Sequence, residues 1–237
     1  MIVITFFTKR SDPMKAPVPR VHDLLEIDGC LLSAMLPFPP AWLKDCPGES
    51  SYVVVRRSAA AENQIPIGIC GGHRNQRFAA VIPRGLVRSI LTPSEVLRLA
   101  GNPTIFHLPA LRSLISLKKR WAGVDWPWGP IGSVALTLAT GSQRASADSD
   151  LDIVLEAANR FTTSDAKMLF ASALGLPARV DIRIETPFCG FSLFEFAWTR
   201  SGSILLRTPE GPILGSDPWD PGLSLMAETA RFIGSLP

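Results

Sequence analysis

The stretch from Gly141 to Leu155, GSQRASADSDLDIVL, constrains the fold of this chain more than any other part of its sequence. It contains a Gly-Ser pair, a short polar loop, and two aspartates at the start of an apolar run typical of a strand. Residues i and i+2 of a strand point to the same side. We therefore expect Asp150 and Asp152 to present two carboxylates on one face, roughly 7 Å apart at Cα.

The segments on either side of this stretch predict further strands and a helix. Val134 to Ala139 is almost entirely apolar and predicts a strand that leads into Gly141-Ser142. Thr163 can cap a helix that runs to Leu174, and Arg179 to Glu185 alternates with period two, which predicts another strand. The predicted order is strand, loop, strand, helix, strand. Residues 93–237 should therefore form a mixed β-sheet core flanked by helices.

Residues 18–92 predict a separate, small α+β domain. Tyr52 to Arg57 and Ile65 to Ile69 have the β-branched density of strands. Thr92-Pro93-Ser94-Glu95 is a capping box with proline at the first helical position, so a helix should begin there. The predicted domain boundary lies between residues 92 and 93, and the whole chain is predicted to be α+β.

Charge is distributed unevenly between the two halves of the chain. Residues 1–120 carry 16 basic and 8 acidic side chains, whereas residues 121–237 carry 8 basic and 13 acidic ones. Between Val53 and Arg88 there are six arginines and no lysine, with Glu62 as the single acid. Arginine pairs bidentately with phosphate and carboxylate groups, so this segment predicts a docking surface for a phosphorylated ligand or an acidic protein. The alternative is a solvated, ion-paired face.

Composition excludes several classes of protein. No apolar stretch approaches the ~18 residues of a membrane span, and no secretory signal is evident, so we expect a cytoplasmic protein without membrane contact. Four cysteines without a C-x-x-C pair predict neither a disulfide framework nor a zinc site. Aromatic residues are few in the basic region, which disfavours a nucleic-acid partner.

Three carboxylates are the candidate catalytic and metal-binding groups. Asp181, on the next predicted strand, would join Asp150 and Asp152, and hard oxygen ligands on rigid strands suit Mg²⁺ with open positions for substrate phosphates. Gly141 would let the backbone approach a phosphate, and Ser142 would add a hydroxyl donor. Three acids could instead be solvated side chains at a strand end. Their combination with the Gly-Ser pair favours nucleotidyl transfer.

These residues resemble the nucleotidyltransferase superfamily, whose pattern is Gly-Ser, a variable loop, Asp-x-Asp on a strand and a later Asp. The whole chain, from about Arg20 to Trp219, more narrowly resembles the malonate decarboxylase holo-acyl-carrier-protein synthases, which are phosphoribosyl-dephospho-CoA transferases. The segments that carry this resemblance are His22-Asp23-Leu24-Leu25, Val54 to Arg57, Ile67-Gly68-Ile69 with Gly71, Arg74 to Ala79, and Trp128 to Ser133.

The resemblance implies a specific reaction. The 2′-(5″-phosphoribosyl)-3′-dephospho-CoA group would pass from its triphosphate precursor to a serine of the acyl-carrier subunit of malonate decarboxylase, with release of pyrophosphate. In this interpretation Asp150 and Asp152 hold Mg²⁺, and Asp181 either completes the metal site or accepts the serine proton. Gly141 and Ser142 bind the pyrophosphate end. The arginines assigned to substrate are Arg56, Arg57, Arg74 and Arg77.

Two alternatives remain open at this point. The chain could modify the carrier subunit of citrate lyase or adenylylate another target. It could also be a nucleotide-binding protein without catalytic activity that kept the three acids.

Overall fold

Two β-sheets form the framework of the protein. The computed structural model describes residues 18–36, 38–44, 51–73, 75–101 and 107–222 of the 237-residue chain. The strands are β1 Leu24–Ile27, β2 Ser51–Val55, β3 Gln64–Cys70, β4 Arg77–Pro83, β5 Val87–Leu91, β6 Trp128–Pro130, β7 Leu151–Glu156, β8 Val180–Glu185, β9 Gly190–Ser192, β10 Ile204–Thr208 and β11 Gly211–Gly215. The helices are α1 Gly29–Met35, α2 Ala41–Lys44, α3 Pro93–Arg98, α4 Pro109–Arg120, α5 Gly132–Thr140, α6 Thr163–Ser172 and α7 Leu193–Trp198.

The first sheet is antiparallel and has apolar side chains on both faces. Its strand order is β4-β3-β2-β1-β5. Because side chains alternate along a strand, Leu25 and Val53 pack into a core with residues from α1 and α2, whereas Leu24 and Val54 join the larger core of the second sheet. The first sheet is therefore a layer between two apolar cores.

The second sheet is mixed, in the order β11-β10-β9-β8-β7-β6. Strands β7 and β8 are parallel and joined through α6, and the other neighbouring strands are antiparallel. Ile153 and Ile182 are buried in the core on one face. At the strand starts the alternate positions are Asp152 and Asp181, so the opposite face is polar there, whereas Val154 farther along β7 is buried. This arrangement confirms the predicted α+β class with a mixed sheet.

Several sequence predictions agree with the structure. The capping box at Thr92 and Glu95 begins α3, with both of its reciprocal hydrogen bonds present. The predicted strands on either side of α6 are β7 and β8. Helix α6 is capped by Thr162 rather than Thr163, one residue earlier than predicted, and it ends at Ser172.

The predicted strand over Val134 to Ala139 is wrong, because this segment lies in helix α5. Each residue from Val134 to Leu138 is buried, so the helix has no polar face to show a 3.6-residue period. A short, wholly apolar run cannot be assigned to strand or helix by periodicity alone. The order around the acids is therefore helix, loop, strand, helix, strand.

None of the helices in the described ranges is both long enough and apolar enough to cross a membrane.

Candidate active site

The predicted acids lie near the point where the two parallel strands of the second sheet begin. Asp152 of β7 lies directly opposite Asp181 of β8 in the strand register. Asp150 comes immediately before β7, two residues from Asp152. The parallel pairing therefore places all three carboxylates at one edge of the sheet.

Asp152 is the acid whose carboxylate is most affected by its surroundings. Burial raises the pKa of its carboxyl group, and the charges of Asp181 and Asp150 raise it further, whereas Arg183 and Arg77 act to lower it. The net effect is a raised pKa for Asp152. A half-buried carboxylate beside two others is therefore a place where an added positive charge would be favourable.

The other two acids lie near arginines, and Asp150 is exposed. Arg183 Nε is 3.6 Å from Asp181 Oδ2, and Arg179 Nη1 is 4.0 Å from Asp150 Oδ2. In the described parts of the chain, no group of three or more His, Cys, Asp or Glu side chains is positioned to hold a metal ion. The oxygen donor set at this edge has the chemistry that Mg²⁺ prefers. Magnesium binding stays a prediction.

A glycine that the sequence analysis did not assign to the site lies against Asp152. Gly132, the first residue of α5, has φ +63°, and a Cβ built on it would lie 3.0 Å from Asp152 Oδ2. The preceding amide, Ile131 N, donates to the Asp152 carbonyl over 2.9 Å. The start of α5 at Gly132 therefore lies beside the central acid. The signal was a second Gly-Ser pair, Gly132-Ser133, which follows the segment Trp128 to Ile131.

Gly141 and Ser142 occupy a different place from the one predicted. Gly141 ends α5 in the left-handed conformation, at φ +68°, with open space around its Cα. The loop beyond is attached to the helix because buried Thr137 accepts through Oγ1 from the amides of Arg144 and Ala145, at 3.0 and 2.8 Å. The pair thus follows a helix rather than a strand. Its role in phosphate binding stays a prediction.

The arginines assigned to substrate have different surroundings. Arg57 pairs with Glu185 of β8, which also lies 3.0 Å from His22 Nε2, and all three side chains are only 15 % exposed. Arg56 next to it is exposed. Arg77 begins β4 and is near enough to act on Asp152. Arg74 lies outside the described residues.

Sequence reasoning missed the role of Glu185. Burial acts to raise the pKa of this carboxyl group, but His22 and Arg57 outweigh it, so the net direction is downward. The group is therefore held as an anion that joins the first sheet to the second. A separation of 128 residues between Arg57 and Glu185 leaves no local pattern by which to find the pair.

Comparison with known proteins identifies the family. The family model for the N-terminal domain of phosphoribosyl-dephospho-CoA transferase MdcG matches residues 20–93, and the model for its C-terminal domain matches residues 98–218. No solved structure matches the chain.

Three curated relatives each bear the name phosphoribosyl-dephospho-CoA transferase. The chain is 33 % identical to one from Pseudomonas putida over 201 residues, which is 85 % of this chain and 95 % of the relative. It is 31 % identical to one from Klebsiella pneumoniae strain 342 over 204 residues, covering 85 % and 96 % of the two chains. A relative from Pseudomonas syringae pv. tomato is 34 % identical over 199 residues, covering 84 % and 92 %. With both family models matched and this coverage, the chain belongs to the phosphoribosyl-dephospho-CoA transferases and is a transferase.

Proposed function

We propose that this protein transfers the 2′-(5″-phosphoribosyl)-3′-dephospho-CoA group from its triphosphate precursor to a serine of the acyl-carrier subunit of malonate decarboxylase, releasing pyrophosphate. The observation that carries the proposal is the position of Asp152. Its carboxylate lies opposite Asp181 and against the glycine that begins α5. Carboxylates that hold a divalent cation, beside the N–H groups of a helix start, can bind and polarise the phosphate chain of a donor.

The reaction is a displacement at phosphorus. The serine Oγ of the carrier attacks the α-phosphorus of the donor triphosphate, and a new P–O bond forms. The bond from the α-phosphorus to the α,β-bridging oxygen breaks, and pyrophosphate leaves with the electron pair. The serine proton passes to a carboxylate, for which Asp181 is the candidate because it is half-exposed at the strand edge.

Residues at the start of α5 would hold the phosphates. The N-cap residue Ile131 makes no side-chain capping bond, so the first-turn N–H groups of this nine-residue helix are not capped by its side chain. Free N–H groups at a helix start and the helix dipole favour phosphate. Gly132 lets the phosphate approach the backbone. We therefore favour Gly132 and Ser133 for this role, and Gly141 with Ser142 is the competing assignment.

Asp150 and Asp152 would hold Mg²⁺, and Asp181 is the third candidate ligand, an assignment that competes with its role as the base. When bound, the ion would neutralise charge on the phosphate oxygens and lower the barrier to displacement. It would also offset the mutual repulsion that the neighbouring acids impose on Asp152. Arg183 and Arg179 would then be released from the outer acids to meet the substrate.

The charge of the N-terminal half supports an acidic carrier protein as the acceptor. Residues 1–120 have an excess of basic side chains, with 16 basic against 8 acidic. An excess of one sign accelerates encounter with a partner of the opposite sign and makes it dependent on salt. The serine-bearing carrier is therefore expected to bind faster at low ionic strength.

The test is a transfer assay with purified components. The protein is incubated with Mg²⁺, the triphosphate precursor and the apo-carrier of either malonate decarboxylase or citrate lyase, and the carrier mass and released pyrophosphate are measured. We expect the malonate decarboxylase carrier to gain the prosthetic group with one pyrophosphate per transfer, and Asp152→Asn to give none. Modification of the citrate lyase carrier alone contradicts the proposed acceptor. Binding of the precursor without pyrophosphate release supports a non-catalytic binding protein.

A further inference from the structure

A cavity of about 730 Å³ lies between the two sheets, next to the acids. One wall is the end of β2 with the residues after it, including Arg56 and Arg57. The other wall is formed by β8 to β11 and contributes Arg183, Glu185 and Arg207. The volume is in the range of small-molecule sites, about 300–1,000 Å³.

The lining of this cavity carries more positive than negative charge. Four arginines line it, against two acids, Glu185 and Glu210. Glu185 is already engaged by Arg57 and His22, and Glu210 is exposed. Within the described residues, Arg56 and Arg207 make no ion pair, although both line the cavity and are exposed to it and to solvent. Two arginines without an acidic partner are a site for an anion that accepts paired hydrogen bonds, such as a phosphate.

Arg183 links the cavity to the acids of the second sheet. Asp181, Arg183 and Glu185 occupy alternate positions of β8 and therefore share one face of the strand. Arg183 lines the cavity, and its Nε is 3.6 Å from Asp181 Oδ2. A ligand in the cavity would thus have one end within reach of the proposed reaction centre.

The cavity also has room and surface for an elongated, partly apolar ligand. Val54, Leu205 and Pro212 contribute apolar lining. A smaller cavity of about 280 Å³ shares Arg56, Arg57 and Ser58 with the first. The two spaces therefore lie side by side along one wall. A carrier protein is too large to enter them, whereas a nucleotide with a diphosphate and a flexible, partly apolar arm suits a lining of arginines and apolar side chains.

We propose that this cavity binds the dephospho-CoA part of the donor, with its diphosphate on Arg56 and Arg207 and its pantetheine arm along the apolar lining. The inference rests on the proposed function for the identity of the donor. Arg183 would lie at the junction between the bound nucleotide and the acids. The triphosphate end would then extend from this junction to Asp152 and the start of α5.

Calorimetry with 3′-dephospho-CoA tests the cavity independently of the reaction, because this ligand has no triphosphate and cannot be transferred. We expect Arg56→Gln and Arg207→Gln each to weaken its binding by about tenfold or more, the range for a lost hydrogen bond to a charged group. Arg112→Gln, which changes an exposed arginine on α4 outside the cavity, is the matched control and should bind as the unaltered protein does. Thermal unfolding of each variant checks the fold.

The outcomes separate the two proposals. Unchanged binding in both cavity variants, or no binding to the unaltered protein, overturns the cavity assignment. If 3′-dephospho-CoA binds through Arg56 and Arg207 while no carrier is modified, the cavity assignment stands and the proposed reaction fails. If transfer proceeds but the KM for the precursor is the same in Arg207→Gln, the reaction stands and the cavity assignment fails. Asp152→Asn should retain 3′-dephospho-CoA binding.

Discussion

Two glycines at the ends of one helix offer a direct test of where the phosphate-binding end of the site lies. Gly132 and Gly141 both have left-handed backbone, with φ +63° and +68°. An alanine at either position costs about 1–2 kcal/mol of folding stability because its Cβ crowds the backbone in this conformation. For a chain of this size, the unfolding midpoint should fall by roughly 2–8 °C in either variant.

The two positions differ in what the added methyl group would meet. At Gly132 it lies 3.0 Å from Asp152 Oδ2, whereas at Gly141 nothing lies within 4 Å. Gly132→Ala must therefore move the central carboxylate by a few tenths of an ångström and narrow the approach to the helix start. Small misplacements of catalytic groups can cost up to about 100-fold in rate. We expect transfer to fall about 10- to 100-fold in Gly132→Ala and to fall less than threefold in Gly141→Ala.

The assay measures the initial rate of carrier modification by intact-protein mass spectrometry, beside thermal unfolding of each variant. If Gly132→Ala and Gly141→Ala lower the unfolding midpoint equally but only Gly132→Ala slows transfer strongly, the result supports the start of α5 as the phosphate site. A large loss of transfer in Gly141→Ala, with Gly132→Ala near the unaltered rate, refutes this reasoning and favours Gly141 and Ser142 instead. Similar losses in both variants would show that backbone strain, rather than contact with Asp152, controls activity, and would also refute it.

Three further predictions concern charge. Burial and the neighbouring acids raise the pKa of Asp152, so its ionised carboxylate destabilises the folded state, and Asp152→Asn should raise the unfolding midpoint in the absence of Mg²⁺. Mg²⁺ should raise the unfolding midpoint of the unaltered protein only. Equal stabilisation of the variant by Mg²⁺ would exclude Asp152 as a ligand. Burial raises the pKa of Asp23 from 3.8 to about 6, so the folded state binds the proton more tightly and stability should increase as the pH falls from 7 toward 4. At about 1.36 kcal/mol per pKa unit, the unfolding free energy of the unaltered protein should increase over this pH range by at most about 3 kcal/mol relative to that of Asp23→Asn. A difference in unfolding free energy between the two proteins that does not change with pH would contradict this prediction. Glu185→Gln leaves the charge of Arg57 without its partner and should lower stability by about 3–5 kcal/mol in urea unfolding; a loss below 1 kcal/mol would show that the pair is dispensable.

Local patterns were sufficient for much of the fold and for the acids. The alternation in Arg179 to Glu185 and the run after Asp150 predicted two strands, and their pairing aligns Asp152 with Asp181. The capping box at Thr92 located a helix start because both of its hydrogen bonds are made within four residues. These features depend on neighbours in sequence, so the sequence alone specifies them.

The features that the sequence did not predict are those that depend on tertiary contacts. Residues Val134 to Leu138 of helix α5 are all buried, so the apolar run gave no helical period and was assigned to a strand. The pairing of Arg57 with Glu185 and the cavity beside it depend on packing between sheets distant in sequence. Such contacts can be seen only once both sheets are in place.

The sharing of β1 between two cores bears on how the protein can be handled in pieces. Leu24 packs with the second sheet and Leu25 with α1 and α2, and Tyr52, Val54 and Leu91 also contact the second sheet's core. A fragment that ends near residue 92 would therefore expose a hydrophobic surface that is buried in the intact chain. The two fragments should aggregate when each is expressed alone, and they should remain soluble only when they are co-expressed.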